Sequence, residues 1–271
     1  MKGAWDLGLG TWGRKLVFVV SIMTSGMLAF AQAPSPRPQA PSGFIEIPGG
    51  PFTIGTSRTT DPNAFDNEAP VTAIDVPTFF IAEREVTVAE FTKFAQAGTW
   101  RVDPRALAAP PDHPVAHVSW PDAVAYCRWL ESTMKSLLPP GWHVTLPTEA
   151  QWEKAARGTD ARRFPWGNEP RRDRANFASQ GTVPAGSLAC PECAFGLRDM
   201  AGNVWEWTRS PNQPYPYNPS DDRAGLDADA LWVMRGGGFA DGPQLVRATT
   251  RGAAEPGARR PFIGFRVVIS Q

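Results

Sequence analysis

Residues 199–207 read DMAGNVWEW, which places the carboxylate of Glu206 between Trp205 and Trp207, just after a Gly202-Asn203 turn. An ionised side chain among large rings is costly to bury unless a positive or hydrogen-bonding group meets it. Whatever meets Glu206 therefore organises the late part of the chain. Working outward, CPEC (190–193) lies upstream, and RGGGF (235–239) and GFRVV (264–268) lie downstream. These are turn-rich blocks joined to short strands rather than long periodic segments.

The 271 residues carry 27 Lys+Arg against 27 Asp+Glu, so no net field draws the chain to nucleic acid or an anionic membrane. Eleven Trp, 25 Gly and 28 Pro point to a core built as much by closely packed irregular loops as by regular elements. At the N-terminus, Lys2, Arg14 and Lys15 precede LVFVVSIMTSGMLAF and then the small residues of AFAQA. This is the outline of a secretory signal peptide, residues 1–31, with Ala31 the cleavage point; the competing reading is an uncleaved anchor. Residues 32–43 read as a Pro-rich linker and 44–271 as the domain. A cleaved signal implies a periplasmic or secreted protein with no stable membrane span.

Cys127 reads as a small buried apolar residue. Cys190 and Cys193 suit a local disulfide in an oxidising compartment, since no strand-then-helix context supports a redox centre and no second pair supports zinc. FIEIPGGPFTIGT (44–56) alternates around a Pro-Gly-Gly turn and predicts a β-hairpin, and VTAIDVPTFFIAE (71–83) predicts the next strand pair. Three helices announce themselves by capping boxes: Thr87 with Glu90, Ser119 with Asp122, and Thr148 with Gln151. Their apolar faces are Val88, Phe91 and Ala95, then Val124, Cys127 and Leu130, then Trp152, Ala155 and Ala156. Gly98 and Gly158 stand at C-cap positions. Residues 211–230 read as a polar, Pro-rich excursion with little fixed structure. Early helices followed by irregular strands give an α+β class.

The ordered blocks FIEIPGGPFTIG, EVTVAEF, HPVAHVSWPDAVAYCRWL, LPTEAQWEKAARG, FPWG, GLRDMAGNVWEWT, RGGGF and GFRVV resemble the formylglycine-generating enzyme family, also called the sulfatase-modifying factor domain. The resemblance runs from about Phe44 to Val268. It implies a compact C-type-lectin-like α+β fold, poor in regular structure and stabilised by calcium. By that resemblance the calcium ligands are the side chains of Asp199 and Glu206 and the backbone carbonyls of Gly202 and Val204, which the glycine turn lets converge on one hard cation. The alternative is an ion pair between Glu206 and an arginine such as Arg235 or Arg247. A second, weaker calcium site would begin at Asn176 and Phe177, but its loop is short and lacks the later aspartate.

The oxidases of the family bind copper through two cysteines that follow an RGGS turn, because soft thiolates select Cu(I). Counting from Arg235, those positions hold Asp241 and Val246, so copper and formylglycine formation by that route are not expected. The CPEC pair has different spacing and is no replacement. His113, His117 and His143 read as structural or surface residues rather than an iron triad; His113 and His117 would lie ~13 Å apart on an extended segment. A candidate cleft is formed by Trp232, Arg235, Phe239, Asp241, Arg247 and Arg251, with Arg259 and Arg260 nearby, suited to a peptide or small acidic ligand; the alternative is ordinary surface charge plus arginines buried against acids. Two functions remain. One is an exported binding or regulatory scaffold for a protein or peptide partner. The other is an enzyme that modifies an exported peptide or secondary metabolite, as in the pyoverdine-maturation branch.

Overall fold

The computed structural model describes residues 39–98, 100–223 and 230–271. Residues 1–31, expected as a signal peptide, and most of the expected linker at 32–43 lie outside the described residues. Among the described residues no helix is long and apolar enough to cross a membrane.

The first strands are β1 (Phe44–Ile47), β2 (Gly50–Ile54), β3 (Thr72–Val76) and β4 (Phe79–Ala82). They do not form the expected hairpin. β1 pairs with β4 and β2 with β3, both antiparallel, and the register continues from Ile47 opposite Phe79 to Gly50 opposite Val76. The four strands are thus one long ribbon, interrupted at Pro48-Gly49 and Pro77-Thr78. The physical reason is that neither proline has an N–H for the ladder. Gly49 instead donates to the Thr78 hydroxyl at 2.9 Å. The strands of VTAIDVPTFFIAE pair with what precedes them, not with each other.

Three helices follow: α1 (Val88–Gln96), α2 (Trp120–Met134) and, after β5 (His143–Thr145), α3 (Glu149–Arg157). Each opens on the expected capping box, with both reciprocal hydrogen bonds formed. α1 buries Val88, Phe91 and Phe94, so the bulky ring displaces Ala95 from the core face. α2 buries Val124 and Cys127 but leaves Leu130 half-buried. α3 is buried along its whole length, with Trp152, Ala155 and Ala156 at its centre. Gly158 ends it with φ +63°.

The late strands are β6 (Trp205–Pro211), β7 (Trp232–Arg235), β8 (Arg251–Ala254), β9 (Ile263–Gly264) and β10 (Val268–Ser270). β8, β7, β6 and β9 form a second four-stranded sheet, while β10 crosses back to lie between β4 and β5 in the first. One apolar cluster joins α1 and α2 to both four-stranded sheets, and another gathers around Trp152 beneath the ribbon. The 211–230 excursion is anchored in its described part: Tyr217 and Asp222 are buried, and Asp222 accepts from the hydroxyls of Tyr217 and Ser210.

The start of α3 is a sensitive joint, because β6 holds it twice: the Arg209 N–H donates to the Pro147 carbonyl at 2.9 Å, and the Ser210 hydroxyl accepts the Glu149 N–H at 2.8 Å. Thr148→Ala removes the oxygen that receives the Gln151 N–H. It should cost about 1 kcal/mol, measured as a shift in the urea midpoint; an unchanged midpoint would show that Ser210 alone holds the helix end.

Candidate metal centre and family site

The turn that leads into β6 bends sharply, with Asp199 at φ +54°, Gly202 at +76° and Asn203 at +61°. Asp and Asn tolerate this region better than most side chains, whereas Gly202 is also forced by space. A Cβ there would stand 2.2 Å from the Asn176 carbonyl oxygen. That close approach lets Asn203 donate its backbone N–H to the same carbonyl at 2.8 Å.

Glu206, the second residue of β6, is fully buried. Its partner is Arg266, from the GFRVV block. The guanidinium donates through Nε at 2.6 Å to one carboxylate oxygen and through Nη2 at 2.6 Å to the other, and Trp152 Nε1 adds a third bond at 2.7 Å. Arg266 is also fully buried and spends its remaining donors on the carbonyls of Ala82, Arg198 and Asp199. The ion pair expected as the alternative partner therefore exists, but with neither Arg235 nor Arg247.

Around this pair stand two more buried acids. Asp199 accepts the Gly186 N–H on one oxygen, and Glu85 accepts the Asn203 side-chain amide at 3.0 Å on one oxygen. The other oxygen of each, Asp199 Oδ1 and Glu85 Oε1, meets no donor among the described residues. Burial, and then the charges of Asp199 and Glu206, push the Glu85 carboxyl well above its ordinary range. Burial likewise raises Asp199. Three carboxylates thus share one guanidinium, and two orphaned acceptor oxygens remain in a protein interior. Both features suit a hard cation with oxygen ligands. Among the described residues no three Asp, Glu, His or Cys side chains gather closely enough to grip an ion by themselves, so carbonyl oxygens would have to complete any cage. Glu85 was not legible as a member of this centre: in EREVTVAEF it reads as a polar residue before a helix cap.

Asn176, the start of the weaker site, is committed elsewhere. Its amide donates to Gly181 and to the Asn203 side chain and accepts from Ser179, while Phe177 packs in a small cluster with Phe164 and Val246. A chain of bonds from Ser179 through Asn176 and Asn203 to Glu85 couples this loop to the centre.

The six cleft candidates do not line one cleft. Trp232 is fully buried, stacked on Trp120 at 3.9 Å between ring centroids. Arg235 is fully buried between Glu149 and Glu153 and lies over the Trp152 ring. Arg247 forks onto Glu68 and reaches Asp61, and Arg251 forks onto Glu149. These arginines are structural because they come from β7, β8 and their connection, whose inner faces meet acids of α3 and the ribbon loop. Only Phe239 and Asp241 remain half-buried. Asp241 accepts Trp205 Nε1 at 2.7 Å and the Gly238 N–H at 2.8 Å on the same oxygen. Val246 is fully buried. Arg259 pairs with Asp122 at the start of α2.

Cys190 and Cys193 are joined as a disulfide, and Cys127 is a buried free thiol. The histidines lie apart: His113 meets Thr182, His143 meets Glu131, and the ring Nδ1 of His117 has no partner among the described residues.

Residues 30–271 match the model of the sulfatase-modifying factor enzyme 1-like domain. The chain is 31% identical to a hercynine oxygenase of Mycolicibacterium smegmatis over 86% of its own length and 63% of the relative. It is also 31% identical to a formylglycine-generating enzyme of Streptomyces coelicolor, over 86% of the chain and 91% of the relative. The chain thus spans only about three fifths of the hercynine oxygenases it matches. Among solved structures, PvdO from Pseudomonas aeruginosa superposes with a TM-score of 0.67 and 26% identity, covering 84% of this chain and 94% of PvdO. The fold, the ordered motifs and the extent of the match together place this chain in the sulfatase-modifying factor enzyme 1-like family.

Proposed function

We propose that this chain is an exported binding or regulatory domain, stiffened by calcium and without copper-dependent formylglycine formation, that recognises a protein or peptide partner. The observation that carries this reading is Asp241. Where the oxidases of the family present a thiolate, this chain holds a carboxylate already tied to Trp205 and Gly238, and the second position is the buried Val246. An oxygen ligand and an aliphatic side chain do not select Cu(I).

Calcium would be held by Asp199 and Glu206, by the main-chain oxygens of Gly202 and Val204, and additionally by Glu85. When bound, it adds positive charge to that of Arg266 beside the three buried carboxylates. The orphaned oxygens of Glu85 and Asp199 support this assignment. Glu206 would have to share its oxygens with Arg266 and Trp152.

A linkage experiment tests the metal. Without it, the folded-state values of Glu85 and Asp199 lie above their ordinary 4.5 and 3.8. Their contribution is then fully present below those values and is lost as pH rises through the raised folded ones. The chelated protein should melt progressively lower from mildly acidic to neutral pH, and added calcium should restore the loss. Glu85→Gln should shrink the calcium response. Equal melting temperatures with and without chelator at neutral pH would remove the metal from the reading. Metal analysis of the mature protein should find calcium and no copper, and a cysteine-containing peptide should drive no oxygen consumption. The second reading, an enzyme acting on an exported peptide or secondary metabolite, draws on the enzyme names of the relatives. Formylglycine on the peptide, or a bound redox metal, would favour it.

A further inference from the structure

A cavity of about 420 Å³ opens between α1, α2 and the edge where β1 meets β4. None of the family's reaction positions lines it. Its apolar wall is the outer face of α2, where Tyr126, Trp129, Leu130 and Met134 recur at helical spacing, and its polar wall is α1 with the segment before it.

The charges on that polar wall are unevenly satisfied. Glu90 receives both terminal nitrogens of Arg84 at 3.0 Å and the Thr87 N–H at 2.8 Å. Burial works against its ionisation, but the Arg84 fork and Thr87 outweigh this and hold Glu90 below its ordinary range. Glu83 is taken by Arg198 at 3.0 Å. Lys93 is exposed on the rim and has no ion-pair or hydrogen-bonding partner among the described residues. Glu85, the remaining acid of the lining, bonds to Asn203 in the buried centre. Lys93 is therefore the lining base without an acidic partner among the described residues.

Tyr126 supplies a second unmet group. The residue is 3% exposed, lines the cavity, and its hydroxyl bonds to no protein atom among the described residues. Burial, and then the charge of Glu90, push the phenol up, so the hydroxyl keeps its proton and is available as a donor. A hydroxyl donor and an ammonium without an acidic partner, both on the lining of an aromatic and aliphatic slot, ask for an acceptor that carries negative charge and an apolar body.

We infer that this cavity binds a small amphipathic carboxylate, with its aryl or alkyl body against Trp129, Leu130 and Met134 and its carboxylate between Lys93 and the Tyr126 hydroxyl. The site stands independently of the calcium and scaffold reading. Its segment Glu83–Val86 also delivers Glu85 to the buried centre, so the cavity wall and the centre share one stretch of backbone.

Calorimetric titration of the mature chain with phenylbutyrate and with its neutral counterpart phenylbutanol tests the assignment. Phenylbutyrate should bind saturably at one site, and phenylbutanol roughly tenfold more weakly. Lys93→Met should reduce carboxylate affinity by about the same factor while leaving the alcohol unchanged, and Tyr126→Phe should weaken the carboxylate more than the alcohol. Leu130→Trp should fill the slot and abolish both, with near-ultraviolet circular dichroism reporting an intact core. No saturable binding to the unsubstituted chain would overturn the site. Equal affinity for acid and alcohol, or unaltered binding in Lys93→Met and Leu130→Trp, would do so as well.

Discussion

Arg266→Met should cost the domain roughly 3–5 kcal/mol, enough to remove much of the margin of about 5–15 kcal/mol that ordinary domains possess. Methionine fills much of the arginine's volume, so the loss reports charge more than packing. The substitution leaves Glu206 with Trp152 as its one remaining side-chain donor, in an interior that already holds Glu85 and Asp199. It also strips donors from the carbonyls of Arg198 and Asp199. Urea unfolding measures the effect. The double variant Arg266→Met with Glu206→Leu should recover part of the loss, because removing both charges is cheaper than stranding one. A single-variant loss below about 1 kcal/mol would mean that the pair behaves like a solvated surface bridge.

Arg247→Met should be comparably severe, also roughly 3–5 kcal/mol. Arg247 is 1% exposed and forks onto Glu68, itself fully buried, while a further bond reaches Asp61. Both acids lie in the connection between β2 and β3, some 180 residues earlier. The arginine thus fastens that loop to the late half of the molecule. This outcome separates a structural arginine from a ligand-binding one: a cleft residue would lose partner affinity at little cost to folding. A protein that unfolds normally but no longer captures its partner would return Arg247 to the cleft.

The features that could be read along the chain were local ones. Thr87, Ser119 and Thr148 each lie three residues from their capping partners, so sequence spacing alone specifies those contacts. The pairing of β1 departs from the expected hairpin because Pro48-Gly49-Gly50 carries turn chemistry, while the partner strand β4 lies beyond a long connection. The partner of Glu206 was hidden for the same reason. Arg235, Arg247 and Arg266 are equivalent on the page, and only the parallel pairing of β6 with β9 carries the chain toward the right one. Glu85 gave the faintest signal, an acid that follows the apolar run of β4 and points inward. The family motifs read Asp199 and Glu206 as ligands of one ion; in the fold both are buried, and the charge of Glu206 acts on Asp199.

The position of β10 has a consequence for how the molecule is made. Val268–Ser270 is the middle rail that unites β4 with β5, so a nascent chain interrupted anywhere before Val268 cannot join those two strands. The N-terminal ribbon must wait, solvated and unpaired along one edge, until nearly 190 further residues have left the ribosome. That delay leaves the edge of β4 open to non-native pairing until synthesis is nearly complete.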